Sequence, residues 1–194
     1  MIEIHDITNS IFTSKTYILS KQGEDKAWLV DIGDIEPVLS YLDERNLYVE
    51  GVFLTHAHFD HIYGIEPLVR QYPKCKVYCT EYAKEALALD KMNLSKYNGT
   101  PISYSGDNVE IVHEGEKMFL FEEEPQIELF ETPGHNPGCL TMVIGNVLFT
   151  GDAYIPGIGV NTIPPKADKK LAKMSLEKIL KLAVGKTIFS GHKV

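Results

Sequence analysis

The stretch Thr55-His56-Ala57-His58-Phe59-Asp60-His61 places four potential metal ligands within six residues. It follows a short apolar run, residues 51–54, that reads as a buried strand. Successive side chains of extended backbone point to opposite sides, so His56 and His58 face the same way. Two imidazoles on one side are half of a tetrahedral zinc site. Asp60 and His61 come where the chain has to turn, and can point at a second ion beside the first. A carboxylate among imidazoles suits zinc, iron or manganese, and the lack of cysteine ligands argues against a closed structural site.

The remaining ligand candidates repeat the pattern. His135 lies in Thr132-Pro133-Gly134-His135-Asn136-Pro137-Gly138, His192 in Ser190-Gly191-His192, and Asp152 follows Phe149-Thr150-Gly151. Each comes directly after an apolar, strand-like run. Chance accounts for a lone histidine far better than for this succession. Other chemistries find no footing: there is no Gly-x-Ser-x-Gly elbow and no phosphate-cradling Gly-rich loop with Lys and Ser/Thr.

These motifs, with Asn93-Leu94-Ser95 between them, resemble the metallo-β-lactamase-fold hydrolases, and among them the single-domain, glyoxalase II-like branch. The resemblance covers nearly the whole chain. It implies an α+β fold over residues 1–194: two packed β-sheets with helices outside, an α/β/β/α sandwich, with metals at the edge where strand ends meet. It also implies the ligands. His56, His58 and His135 would hold one divalent ion, Asp60, His61 and His192 a second, and Asp152 would bridge them. Zinc is the first expectation for both ions, with iron or manganese as alternatives. The implied activity is hydrolysis of a small thioester or other ester, with a metal-bridging hydroxide attacking the carbonyl and Asp60 orienting it. A lactonase, or a mononuclear iron-dependent sulfur dioxygenase of the same fold, are the alternatives. A nuclease and a non-enzymatic metal sensor rank below them.

Departures from the branch bear on substrate. Tyr63 stands where the branch usually has glycine, and the loop after Asp152 lacks a Gly-Arg-x-Asp motif. Larger glyoxalase II enzymes continue past this point into a helical domain that helps to hold glutathione. The identity of the thioester therefore stays open. Tyr63, Tyr154 and Lys166 are the substrate-side candidates.

Composition narrows the classes further. The 194 residues suffice for one domain with a sizeable core, and 44% are hydrophobic. The net charge of −8 disfavours a nucleic-acid partner, which needs a basic footprint. No apolar run reaches the ~20 residues that span a bilayer, and residues 1–6 lack the basic start of a signal peptide. Three cysteines, Cys75, Cys79 and Cys139, make no disulfide framework. A small-molecule substrate and a cytoplasmic location are the expectations, and oligomeric state is open.

Periodicity predicts the elements. Strands are expected within 2–32, clearest at 17–19 and 27–32, and at 49–54, 76–79, 109–112, 117–121, 127–131 and 186–189. Residues 140–144 and 147–150 should form a hairpin across Gly145-Asn146. Helices are expected after Asp34 and Asp168 as N-caps, and over 61–71 and 81–91. The faces expected to be buried are Ile35, Val38, Leu39 and Leu42 in the first, and Ala172, Leu176, Ile179, Leu180 and Ala183 in the last. Trp28 should pack in the core. Residues 92–108 and 153–167 read as long loops, candidates for the walls of the site, and 122–125 as a solvated turn.

Overall fold

The computed structural model describes residues 2–122 and 126–193. Among the described residues, eleven strands form two sheets. The first sheet runs β1 (Ile2–Thr8), β2 (Lys15–Lys21), β3 (Lys26–Val30), β4 (Tyr48–Phe53), β5 (Lys76–Cys79) and β6 (Val109–Ile111), in that spatial order. Its first two pairings are antiparallel and its last three parallel. The second sheet is ordered β11 (Thr187–Ser190), β10 (Val147–Gly151), β9 (Leu140–Ile144), β8 (Gln126–Glu131) and β7 (Lys117–Phe119). Only β10 with β11 is parallel there.

Strand alternation sorts the apolar side chains into layers. Leu19, Trp28, Val30 and Phe53 turn inward and meet Ile127, Leu129, Met142 and Phe149 of the other sheet. Their neighbours Ile18, Ala27, Leu29 and Val52 turn outward, under helices α1 (Ile35–Arg45), α2 (Ile65–Gln71) and α3 (Glu81–Ala88). On the far side Val143 and Leu148 lie beneath α4 (Lys169–Leu182), which contributes Ile179. The result is the α/β/β/α sandwich. Trp28 is buried as expected, and its indole N–H donates to the Leu120 carbonyl at 2.6 Å.

Several local expectations change, besides the earlier ends of α3 at Ala88 and β7 at Phe119. The helix expected from residue 61 begins only at Ile65: Phe59–His61 is a 3₁₀ turn. Gly64 lies so close to the Gly33 carbonyl that a Cβ there would collide with it. The Gly64 and Ile32 amides donate to the Ile32 and His61 carbonyls respectively, so the turn is tied to the end of β3 instead of winding on. Asp34 occupies the N-cap position of α1 without capping it. Its carboxylate accepts from Ser10 and Tyr63. In α1, Tyr41 joins Val38 and Leu42 on the buried face while Leu39 is only half-buried. In α4, Leu180 is exposed and Ser175 takes the inward place. Asp168 does cap α4, accepting from the amides of Lys170 and Leu171. The turn expected at 122–125 lies mostly outside the described residues.

Candidate metal centre

All seven candidate ligands come together where strands of both sheets end. His56 and His58 follow β4, Asp60 and His61 sit in the 3₁₀ turn, His135 follows β8, Asp152 follows β10 and His192 follows β11. Three overlapping sets have donor atoms within 4.8 Å of one another: His56, His58 and His135; His56, His61 and Asp152; Asp60, His61 and His192. Asp152 Oδ2 lies 3.4 Å from His135 Nε2 and 3.2 Å from His192 Nε2, so one carboxylate faces both outer sets. Asp60 Oδ2 is 3.5 Å from both His61 Nε2 and His192 Nε2. A Cβ at Gly191 would strike the Asp152 carboxylate, so only glycine lets β11 end this close.

The donors fit cations. His56 Nε2 and Asp152 Oδ1 are buried without a hydrogen-bond partner. Native interiors rarely leave such lone pairs unmet unless an ion or water takes them. His58 Nδ1 and His135 Nε2 face each other at 3.0 Å. Burial, then the neighbouring imidazoles, hold His56 well below its usual range and His58 down at about 3. Both rings stay neutral and keep lone pairs to donate. Burial also opposes a charge on His61, but Asp60, Asp152 and Asp31 outweigh it and raise His61 to about 10. For Asp152, burial works against ionisation and His61, His192 and His135 overcome it, so it stays a carboxylate. Nitrogen and carboxylate donors without thiolates suit zinc, iron or manganese.

Around the donors lies a supporting shell. Asp31 Oδ2 accepts from His61 Nδ1 at 2.9 Å and from the Thr55 hydroxyl at 2.7 Å, and its other oxygen accepts from the Thr55 amide. Backbone carbonyls hold two more rings: His192 Nδ1 is 2.9 Å from the Phe12 oxygen, and His135 Nδ1 is 2.8 Å from that of Asn161. These contacts fix Nδ1 as the protonated nitrogen and turn Nε2 to the centre. The Asn136 amide lies 3.1 Å from His58 Nε2. Sequence reading missed this shell. Asp31 alone carried a signal, an acid at the end of an apolar strand like the ligand positions; carbonyl partners leave no mark in side-chain identity.

The centre opens into a cavity of about 920 Å³ whose lining includes Leu94 and Asn98 from one expected loop and residues between Ile155 and Pro165 from the other. Tyr63, Tyr154 and Lys166 are absent from that lining. Tyr63 is drawn to Asp34 by a 2.6 Å hydrogen bond, and lines a neighbouring depression of about 490 Å³. Tyr154 packs on the cluster beneath α4. Lys166 is exposed at a left-handed turn, φ 71°. Cys75, Cys79 and Cys139 are buried and unpaired.

A two-sheet sandwich whose strand ends converge on this donor set defines a class: a metallo-β-lactamase fold carrying a histidine–aspartate site of the binuclear type. The chain belongs to the Metallo-beta-lactamase superfamily, whose model matches residues 17–192. It is 29% identical over 146 residues to the hydroxyacylglutathione hydrolase of Pseudoalteromonas translucida (strain TAC 125). That match covers 74% of this chain and 48% of the relative, so the chain spans about half that protein's length. Among solved structures, BLEG-1 B3 metallo-beta-lactamase aligns with a TM-score of 0.90 at 25% identity, covering 99% of this chain and 92% of that one. TTHA1623 in a di-iron-bound form aligns with a TM-score of 0.82 at 26% identity, covering 98% and 92%.

Proposed function

We propose that this chain is a metal-dependent hydrolase that works with two divalent ions, zinc by preference, on the carbonyl of a small thioester or other ester. One observation carries the reading. The set Asp60, His61 and His192 stands complete beside His56, His58 and His135, with the Asp152 carboxylate facing both. In this reading the first triad would hold one ion and the second the other, with the Asp152 carboxylate available to both. Bound there, the ions supply Lewis acidity and a water acidified to near neutral pH. The protein's own part is to hold the reacting groups in place. Asp60, which lines the cavity, would orient the attacking water. Asp31 keeps His61 in one orientation, and the Phe12 and Asn161 carbonyls do the same for His192 and His135.

The hydroxyacylglutathione hydrolase relative supports a thioester, and a lactone presents the same carbonyl chemistry. A sulfur dioxygenase needs one redox-active iron with open positions, and gives no use to a complete second set. The test is turnover of an activated thioester or ester by zinc- or manganese-loaded protein under strict anaerobiosis. Hydrolysis is the expected result. Activity confined to iron, with oxygen consumed in proportion to product, would overturn the reading.

A further inference from the structure

Three large apolar side chains stand in solvent at the mouth of the metal cavity: Phe12 at 64% exposure, Ile158 at 63% and Ile163 at 90%. Exposed apolar residues scattered singly are ordinary, but a set gathered around one cavity marks a contact surface. These are also built into the centre. Phe12 has φ 52° and Thr13 φ 57°, a left-handed backbone that costs a non-glycine residue energy and persists where the surroundings impose it. The surroundings here are His192, whose Nδ1 meets the Phe12 carbonyl, and Lys193, whose amide donates to the Thr13 carbonyl. The Phe12 ring then leans edge-on against Phe59, 5.5 Å between centroids. Elsewhere in the lining, the Ile163 amide donates to Asn161 Oδ1, while the Asn161 carbonyl meets His135 Nδ1. Ile158 is fixed by a short turn in which Ile155 and Gly159 pair. Phe12 thus sits one hydrogen bond from a histidine of the centre, and Ile163 two, through Asn161.

The rest of the lining agrees. Apart from the candidate ligands, Lys193 is the one charged residue among those described around the cavity, and Leu94, Val160, Pro164 and Pro165 extend the apolar surface. We infer that Phe12, Ile158 and Ile163 form a substrate-binding rim, and that the substrate is an acyl compound with a large, uncharged apolar group lying across it. The kinetic side of this inference rests on the hydrolase reading; the binding side does not. A carrier bearing several charges finds one partner here, whereas an alkyl chain or aromatic ring covers apolar surface otherwise left in water.

The experiment has two arms. Kinetics on zinc-loaded protein compare acetyl, butanoyl and octanoyl thioesters of one small neutral thiol. KM should fall about tenfold or more from acetyl to octanoyl, as part of the added chain leaves water for the rim. Phe12→Ser and Ile163→Ser should each raise KM for the octanoyl compound severalfold more than for the acetyl one, and Phe12→Leu should restore most of the difference. Calorimetry with methyl and octyl thioether analogues, which cannot be hydrolysed, reads binding alone. The octyl analogue should bind more tightly, with a negative heat-capacity change that shrinks in both serine variants. Chain-length-dependent binding without any turnover would support the rim while removing the hydrolase reading. Equal binding of the two analogues, or serine variants that bind the octyl analogue like the wild type with metal content unchanged, would overturn the inference.

Discussion

The two sheets supply the centre in different ways. The first sheet concentrates its contribution: His56, His58, Asp60 and His61 leave one strand end and one 3₁₀ turn. The second distributes its contribution, with His135, Asp152 and His192 each arriving from a separate strand end. The concentrated group shares short-range backbone bonds, such as the His61 amide to the His58 carbonyl and the Ile62 amide to the Phe59 carbonyl, and one long-range anchor, the end of β3 at Ile32 and Gly33. The distributed group depends on packing between elements. Gly134 lies against Ala172 of α4, the Ser175 hydroxyl donates to the Pro133 carbonyl, and Gly191 abuts Asp152. The concentrated ligands share one anchor, whereas the distributed ligands each need their own neighbours in place.

The sharpest way to break this comparison is Asp152→Ala. It removes the carboxylate that faces both outer sets, and should lower metal content from two equivalents toward one and kcat/KM on the order of 10³-fold, read by elemental analysis and kinetics. A variant that keeps two ions would show that Asp152 joins nothing. Asp31→Asn probes the concentrated half through its support. Losing one charged partner of His61 should weaken metal binding by about 10–100-fold in a chelator competition, with the fold retained. A loss as large as that of Asp152→Ala would erase the distinction between ligand and support.

Asp168→Ala acts further out, on the helix behind the His135 loop. It removes the side-chain cap on α4 and should cost about 1 kcal/mol in urea unfolding, with both metals kept. A change in metal content would show that the cap also places His135. The smallest effect expected is none. Burial pushes the Cys75 and Cys79 thiols up to about 12, and the Cys139 thiol higher still, with one cysteine from the second half behaving like two from the first. Their ordinary value is near 8.5, so as pH rises through that value only the unfolded chain ionises. Native protein at pH 8 should give no reaction with a thiol reagent, and denatured protein three equivalents. Selective labelling of Cys139 would mark the second half as the looser one.

The same contrast explains how far the sequence could be read. Residues 76–79 were legible as a strand to the residue, and the hairpin across Gly145-Asn146 announced itself, because alternation and turn chemistry are local. All seven candidate ligands could be picked out because they lie in short motifs at the ends of apolar runs, in the order that the family resemblance implies. The 3₁₀ turn at Phe59–His61 was hidden, since what stops the helix is a contact with Gly33 nearly thirty residues earlier. Asp34 looked like a cap because its rivals, Ser10 and Tyr63, are distant in sequence. Residues 109–112 and 117–121 read as adjacent strands, yet β6 and β7 belong to different sheets, a choice made by packing rather than by pattern. The pocket walls were legible as loops, but the identity of their contact residues was not. Tyr63 and Tyr154 are claimed by neighbours that the sequence does not reveal.

The seam between Ser14 and His192 has a consequence in time. The Lys15 amide donates to the Gly191 carbonyl, the Tyr17 hydroxyl to that of Ser190, and His192 to Phe12, so the seam joins residues about 180 positions apart. Contacts between such distant positions form only after the intervening chain has already given up its freedom. The concentrated ligands can find one another early, while the seam must wait for both sheets. Metal capture by the complete set is thus a late step in folding, and a refolding trace followed by metal uptake should lag one followed by Trp28 fluorescence.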